Sequence, residues 1–324
     1  MSPRNRRRWL RRLLGLALLL VAGLNVVAFL QAWRLTHFTA DGGPRTPDPA
    51  HLTPAQRLAV LLTGVRNPKP RNDSLPAFTY QTVQLPSPAG RLEAWYAAPA
   101  GPVRGVVALF HGYASSKGRL RHEAATFRAL GWAVLLVDEP GSGGSAGYRT
   151  TIGHDEALAV VAAVGYLRER PGGARRPLVL YGVSMGAAAI MRAEAELGVR
   201  PTANILECPF GTMRQTVINR FRAMHVPVFP VADMLVFWGG VQNGFWAYGL
   251  NPEEFARRID TPTLLLWGTA DQRVTPAETD SIFAHLAGPK QRVNFAGAGH
   301  EPYWHRYPHQ WRRVVAGFLG QQVP

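Results

Sequence analysis

A serine stands between two glycines at the point where an apolar stretch gives way to a helix-forming one. The motif GVSMG (182–186) follows the apolar run LVLYGV and precedes AAAIMRAEAEL. A turn this tight leaves no room for bulk two residues before or after the nucleophile, so glycine at both places is typical of a nucleophile elbow. The free N–H groups and the dipole of the helix that follows favour an oxyanion there. The motif therefore predicts Ser184 as the nucleophile of an acyl transfer.

A serine hydroxyl reacts at neutral pH only with a base within hydrogen-bond reach, and that base needs a third group to orient it. His300 lies in the small-residue sequence GAGHE (297–301), directly after the last predicted strand. From that loop a side chain can reach over the carboxyl edge of a sheet. We therefore predict His300 as the general base.

Two carboxylates compete for the role of the orienting acid. Asp271 ends the sequence WGTAD (267–271), just past the apolar run TLLLW, and Glu207 follows the run ANIL. The chain order of serine, acid and histidine favours Asp271, and Glu207 remains the alternative acid. Cys208, next to Glu207, has no glycine elbow around it and is interpreted as a small packed thiol.

The oxyanion hole is expected to consist of two backbone N–H groups. One is that of Met185, directly after the nucleophile, and the other is that of Tyr113, in the loop HGYA (111–114) after the run VVALF. Gly112 would let the backbone approach the substrate closely. Two preorganised donors of this kind contribute about 3 kcal/mol each in a transition state.

Apolar runs without interruption alternate with helical stretches through most of the chain, which predicts a mostly parallel sheet with helices on both faces. A hairpin is expected to lead this α/β domain. The predicted strands are 78–85, 92–97, 106–110, 133–137, 178–183, 203–206, 263–267 and 293–295, and the predicted helices lie near 118–130, 154–169, 185–197, 276–287 and 307–319.

The amino terminus has the composition of a membrane segment. Eighteen uncharged residues, 13–30, are interrupted only by the polar Asn25 and are followed by Trp33. As a helix they would rise about 27 Å, just enough to span a bilayer. Six arginines precede the segment and Arg34 follows it, so the positive-inside rule predicts a cytoplasmic N-terminus and an extracytoplasmic catalytic domain.

A cleaved signal peptide, which would leave a secreted protein, is the alternative. Such peptides share the basic start and the apolar run, but this run is longer than usual and no A-x-A site follows it. We therefore predict an uncleaved signal-anchor at 13–33. A Pro- and Gly-rich linker is expected after it, with a short helix from a capping box at Thr53 to Leu62.

Composition excludes several classes of protein. With a single cysteine the chain can form no internal disulfide and no cysteine-only zinc site, and no metal site is predicted. The net charge of +15 includes six arginines within the first twelve residues, and the remaining basic residues are scattered without an aromatic pattern beside them. Nucleic-acid binding is therefore not expected.

Taken together, the motifs resemble those of the α/β-hydrolase superfamily, and among them the bacterial membrane-anchored serine hydrolases of the serine aminopeptidase and esterase/lipase group. The resemblance covers roughly residues 78 to 320 and implies the α/β-hydrolase fold, a Ser184–Asp271–His300 triad and no cofactor. Glu139-Pro140 departs from the aromatic and arginine that relatives often carry there. The motifs are HGYASS (111–116), VDEPGSGGSAG (137–147), GVSMG (182–186), GTAD (268–271) and GAGH (297–300).

The aromatic segment 210–256 resembles a helical cap over the acyl pocket of such enzymes, although most of its aromatic residues are expected to pack the cap on the sheet. The expected function is hydrolysis of a small acyl ester or lipid-like substrate. A peptidase, aminopeptidase or thioesterase, or a non-catalytic binding module of the same fold, is the alternative. The predicted divisions are a basic N-terminus (1–12), the signal-anchor (13–33), the linker (34–77) and the hydrolase domain (78–320) with its cap.

Overall fold

An eight-stranded, mostly parallel sheet forms the centre of the protein in this computed structural model, which describes residues 3–47 and 52–323. The strand order is β1-β2-β4-β3-β5-β6-β7-β8; β1 and β2 form an antiparallel hairpin, β2 pairs antiparallel with β4, and the other pairs are parallel. The strands are β1 (Gln81–Leu85), β2 (Leu92–Ala97), β3 (Gly105–Phe110), β4 (Trp132–Val137), β5 (Leu178–Val183), β6 (Ala203–Glu207), β7 (Thr263–Gly268) and β8 (Lys290–Phe295).

Helices cover both faces of this sheet, and alternate residues of each central strand contribute to the two apolar clusters that result. The predicted fold class is therefore confirmed. The helices are α1 (Pro3–Thr36), α2 (Pro54–Thr63), α3 (Arg121–Ala129), α4 (Glu156–Glu169), α5 (Met185–Leu197), α6 (Met213–Ala223), α7 (Val231–Asn243), α8 (Pro252–Phe255), α9 (Pro276–His285), α10 (Tyr303–Arg306) and α11 (Pro308–Gln322).

The apolar runs in the sequence lie where the strands need them. Every residue of β3, β4, β5 and β7 is buried, as expected for strands covered on both faces. Strand β8 begins three residues earlier than predicted, at Lys290, because an edge strand pairs on one side only and its exposed residues can be polar. Strand β1 differs in the opposite sense, because it begins at Gln81, three residues later than the predicted start at 78.

The N-terminal helix α1 is longer than the apolar segment, because it includes the basic residues before it and continues to Thr36. It is long and apolar enough to cross a membrane, and 6% of its most apolar 18-residue window is buried within the protein. The buried part includes Ala28 and Ala32, which face the rest of the chain. A core helix would be mostly buried, whereas most of the apolar side chains of α1 are not covered by the rest of the protein.

The linker differs from its prediction at its start. Phe38 is buried and its N–H donates to Tyr148 O at 2.6 Å, while His37 forms a β-bridge to Arg149 of the domain and Thr39 forms one to Pro68 of the linker. The composition of the linker does not show which residues of the folded chain lie beside it. Phe38 packs near the ring of Tyr113, with ring centroids 6.2 Å apart. Further along, α2 has the predicted capping box at Thr53, and residues 48–51 of the predicted linker lie outside the described residues.

A buried ion cluster holds two loops together at the carboxyl edge of the sheet. Lys117 follows the loop after β3, and its Nζ contacts Asp138, which directly follows β4, and Glu93 Oε1 at 2.8 Å. The side chains of Lys117 and Asp138 are fully buried. The N–H groups of Lys117 and Gly144 donate to the same Asp138 carboxylate, each at 2.8 Å. These contacts fix the loop that carries Tyr113.

We expect Lys117→Met to lower the free energy of unfolding by about 3 kcal/mol, because it leaves the buried carboxylate of Asp138 without its cation. Urea denaturation of the detergent-solubilised full chain measures the change. Arg119→Met, at an exposed position two residues away, should change stability by less than about 0.5 kcal/mol. Equal losses of unfolding free energy in the two variants would contradict the role given to the buried Lys117–Asp138 ion pair.

Candidate active site

Ser184 occupies a strained turn between β5 and α5. Its backbone has φ 53° and ψ −107°, a conformation that side-chain-bearing residues rarely adopt. A Cβ on Gly182 would lie 2.6 Å from Ala187 N, and one on Gly186 would lie 2.5 Å from Phe110 O. Both positions are therefore closed to any other residue, which is the reason for the glycine spacing in the sequence. The Ser184 N–H donates to Glu207 O at 2.8 Å and ties the turn to β6.

The structure brings His300 and Asp271 to this serine. His300 Nε2 lies 2.9 Å from Ser184 Oγ, and His300 Nδ1 lies 2.8 Å from Asp271 Oδ2. The other oxygen of Asp271 accepts the N–H groups of Arg273 and Val274 at 2.7 and 3.0 Å. Because a carboxylate only accepts, Nδ1 carries the imidazole proton and Nε2 is free to accept the serine proton.

Glu207, the alternative acid, lies elsewhere. Its carboxylate accepts hydrogen bonds from Trp311 Nε1 and from the N–H of Tyr303, and it is fully buried in the cluster that α11 forms on one face of the sheet. Its backbone reaches the elbow through the bond to Ser184, but its side chain does not contact His300 in the described part of the chain. The sequence could not separate the two acids because both directly follow strands of the same sheet.

The two predicted oxyanion donors lie next to the serine. Met185 is the first residue of α5, so its N–H has no partner within the helix. A Cβ on Gly112 would lie 3.7 Å from Ser184 Cβ, which places the peptide that precedes Tyr113 beside the nucleophile. The hydroxyl of Tyr113 points away, toward the N-terminal segment, and donates to Leu35 O at 2.6 Å.

His111 orients one of these donors, a role that sequence reasoning missed. Its Nε2 accepts the N–H of Glu139 at 3.1 Å, so its Nδ1 carries the proton and donates to Gly112 O at 2.9 Å. Because a trans peptide is planar, fixing the carbonyl of Gly112 also fixes the direction of the Tyr113 N–H. Burial lowers the pKa of His111 and keeps it neutral. A polar ring at the very end of a buried strand was the available signal.

One set of side chains has the proximity of a metal site. Potential ligand atoms of Cys208, Asp271 and His300 lie within 4.8 Å of one another. Burial raises the pKa of the Cys208 thiol well above its ordinary value, which opposes the thiolate that a metal requires. His300 and Asp271 are already bonded to each other, so the set suits a hydrogen-bonded chain better than an ion.

The aromatic segment 210–256 forms α6, α7 and α8 between β6 and β7, at the place predicted for a cap. Phe210, Phe221 and Phe255 are buried, in agreement with the expectation that its aromatic residues pack against the protein. Phe237 and Trp246 depart from it, with exposed fractions of 45% and 68%. These exposed rings are not explained by packing on the sheet.

The buried carboxyls near Glu207 should make stability depend on pH. Burial raises the pKa of Glu207 to about 7 and, with the nearby charge of Glu207, that of Glu123 to about 8. Both groups keep their proton in the folded chain at pH values where they lose it in the unfolded chain. Their contribution to stability is therefore complete below about pH 4.5 and is lost as the pH rises through 7 and 8, at up to about 1.4 kcal/mol per pH unit per group.

We expect Glu123→Gln to flatten this decline, because an amide does not ionise in either state. The carboxyl oxygens of Glu123 have no hydrogen-bond partner in the described part of the chain, so the substitution breaks no hydrogen bond of the side chain. Urea midpoints at pH 5, 6, 7 and 8 give the slope. Glu169→Gln, at an exposed position of α4, is the matched control and should keep the wild-type slope. An unchanged slope in Glu123→Gln would show that Glu123 ionises alike in both states.

Comparison with known proteins gives the same fold. The chain is similar to the esterase Pf2001 of Pyrococcus furiosus, with a TM-score of 0.65 at 20% identity over 80% of this chain and 100% of that one. It is also similar to a thermostable carboxyl esterase from Bacillus coagulans, with a TM-score of 0.62 at 15% identity over 76% of this chain and 100% of that one.

Two bacterial proteins described as uncharacterized are similar to the chain in sequence. An uncharacterized protein of Bacillus subtilis, YqkD, is 26% identical over 196 residues, which are 60% of this chain and 64% of that protein. The uncharacterized protein Rv2307c of Mycobacterium tuberculosis is 24% identical over 286 residues, or 87% of this chain and 85% of that one. The family model described as serine aminopeptidase, S33, matches residues 101–243. The chain is thus similar to this family over residues 101–243, and it has the α/β-hydrolase fold of the solved structures.

Proposed function

We propose that this protein is a membrane-anchored serine hydrolase that cleaves carboxylic esters through an acyl-enzyme on Ser184. The observation that carries the proposal is the unbroken chain of hydrogen bonds from Ser184 Oγ through the His300 ring to Asp271, with heavy-atom distances of 2.9 and 2.8 Å. It joins the most strained residue of the elbow to a base in the correct tautomer. No cofactor is needed for this chemistry.

The reaction follows from these contacts. Ser184 Oγ attacks the ester carbonyl while its proton passes to His300 Nε2, and the resulting imidazolium is stabilised by Asp271. His300 then returns the proton to the departing alkoxide as the acyl-enzyme forms. A water molecule then attacks the acyl carbonyl while its proton passes to His300. His300 gives that proton to Ser184 Oγ as the carboxylic acid leaves, which restores the free serine. In both halves the oxyanion lies between the N–H groups of Met185 and Tyr113.

The charges of the cap favour an uncharged acyl substrate over a peptide with a free amino terminus. An aminopeptidase has to bind a cationic amine, for which a free carboxylate is the natural partner. Within residues 210–250 the acidic residue is Asp233, and it is bonded to Arg214 at 2.6 and 3.0 Å. The remaining charges there, Arg220 and Arg222, would repel the amine.

The anchor in this proposal is α1, with residues 13–33 across the membrane. The six arginines of the first twelve residues would remain in the cytoplasm and the catalytic domain would lie outside it. Cleavage as a signal peptide would release the domain instead. The contacts that α1 makes with the cap favour a helix that stays in the mature protein.

Ser184→Ala should abolish both labelling by a fluorophosphonate and hydrolysis of p-nitrophenyl esters, because the attacking oxygen is lost. The assay uses the detergent-solubilised full chain with esters from acetate to palmitate, and the chain-length optimum sizes the acyl pocket. Labelling that survives the substitution would contradict the choice of nucleophile. Faster cleavage of an aminoacyl arylamide than of any ester would establish the peptidase instead.

The two candidate acids give a second, separate prediction. Asp271→Asn should lower kcat by about 10³- to 10⁴-fold, because the amide can hold the wrong tautomer of His300. Glu207→Gln is the matched amide substitution and should lower kcat less than about tenfold, since its carboxyl bonds to Trp311 and not to the base. A reversed order of the two effects would make Glu207 the acid.

A further inference from the structure

The cap lies alongside the anchor helix. Trp238 Nε1 in α7 donates to Asn25 Oδ1 at 3.3 Å, and Gln242 Nε2 donates to Phe29 O at 2.8 Å. The rings of Phe29 and Trp238 meet edge to face, with centroids 5.3 Å apart. Asn25 is the polar interruption of the apolar segment, and the cap supplies the donor that it needs.

The two helices lie side by side over several turns of α1. Helix α7 packs through Ala232 and Leu235 against Ala32 of α1, and Trp238 and Gln242 contact Asn25 and Phe29. The indole of Trp238 therefore reaches a point on the anchor beyond Leu30, where the apolar run ends before Gln31. Five residues of helix separate Leu30 from Asn25, which is about 7.5 Å of depth at ~1.5 Å per residue.

The part of the cap that surrounds this contact is apolar and exposed. We call residues 237–246 the cap tip. Phe237, Val241 and Trp246 have exposed fractions of 45%, 54% and 68%, and the sequence has no charge from 234 to 252. A cavity of about 310 Å³ opens beside them, with Val236, Gly240 and Phe245 in its lining. Water is an unfavourable neighbour for so continuous an apolar surface.

A second apolar surface lies at the same end of the anchor. Gln31 Nε2 donates to the carbonyls of Val60 and Leu61 at 2.6 Å, which places the C-terminal end of α2 one residue beyond the apolar run 13–30. Leu58 and Leu62 on α2 are 58% and 54% exposed. An amphipathic helix at this height suits the boundary between headgroups and acyl chains.

We propose that the cap tip is inserted in the outer leaflet of a phospholipid bilayer, beside the anchor. This inference rests on the membrane anchor of the proposed function and adds the position of the cap. A depth of about 7.5 Å lies within the range of 5–10 Å that interfacial helices occupy. The cavity at the tip then opens to the acyl chains of the leaflet.

The test measures the depth of single labels in the full chain reconstituted in phosphatidylcholine vesicles. Val241→Cys is labelled with an environment-sensitive nitrobenzoxadiazole dye, and quenching by brominated phosphatidylcholine is compared with quenching by aqueous iodide. Arg313→Cys, exposed on α11, is the control in the hydrolase domain, and Leu19→Cys reports the anchor itself. The native Cys208 is buried and should stay unlabelled.

Brominated lipid should reduce the signal of Val241→Cys and Leu19→Cys at least twofold and leave that of Arg313→Cys unchanged. A second label at Trp246→Cys should behave like Val241→Cys. If Val241→Cys and Trp246→Cys are quenched by iodide alone while Leu19→Cys is quenched by lipid, the anchor stands and the inserted cap is refuted. If Leu19→Cys is also quenched only by iodide, the membrane anchor fails and the inserted cap fails with it.

Discussion

The turn at Ser184 is the constraint on which the site depends. Its φ of 53° carries a cost of about 1–3 kcal/mol for a residue with a side chain, and the buried residues of β5 and α5 on either side of it hold it in place. A Cβ on Gly186 would lie 2.5 Å from the carbonyl oxygen of Phe110, so α5 can start this close to β3 only because residue 186 is a glycine. The reactive oxygen is consequently fixed by backbone, and the loops after β7 and β8 have only to bring Asp271 and His300 to it.

The second requirement is a fixed oxyanion loop, and polar groups inside the protein provide it. His111 holds the carbonyl of Gly112, while Lys117 and Asp138 join the end of that loop to the end of β4. A buried ion pair of this kind adds little net stability, because desolvation offsets most of its attraction. Its contribution is geometric, because it holds the loop that places the Gly112–Tyr113 peptide beside the serine.

The strands, the helices and the triad candidates could be predicted from local sequence, because each depends on residues close together in the chain. Strand-end placement drew attention to Ser184, Asp271 and His300, and the structure brings these three together. The role of His111, the partner of Lys117 and the burial of Phe38 depend on which loops lie side by side in the fold. His111 has a local signal, a polar ring at the end of a buried strand, but neither periodicity nor motifs identify the partners of these residues.

Asn25 links the anchor to the cap in energetic terms. In hydrocarbon an unpaired amide costs several kcal/mol, so a lone asparagine in a span needs partners. Its Nδ2 donates to Val21 O at 2.9 Å and its Oδ1 accepts from Trp238 at 3.3 Å. Moving the cap away from α1 would break the second bond, and in the proposed bilayer it would leave the acceptor unsatisfied among lipid chains. In the proposed membrane anchor, Asn25 thus favours the position of the cap against α1.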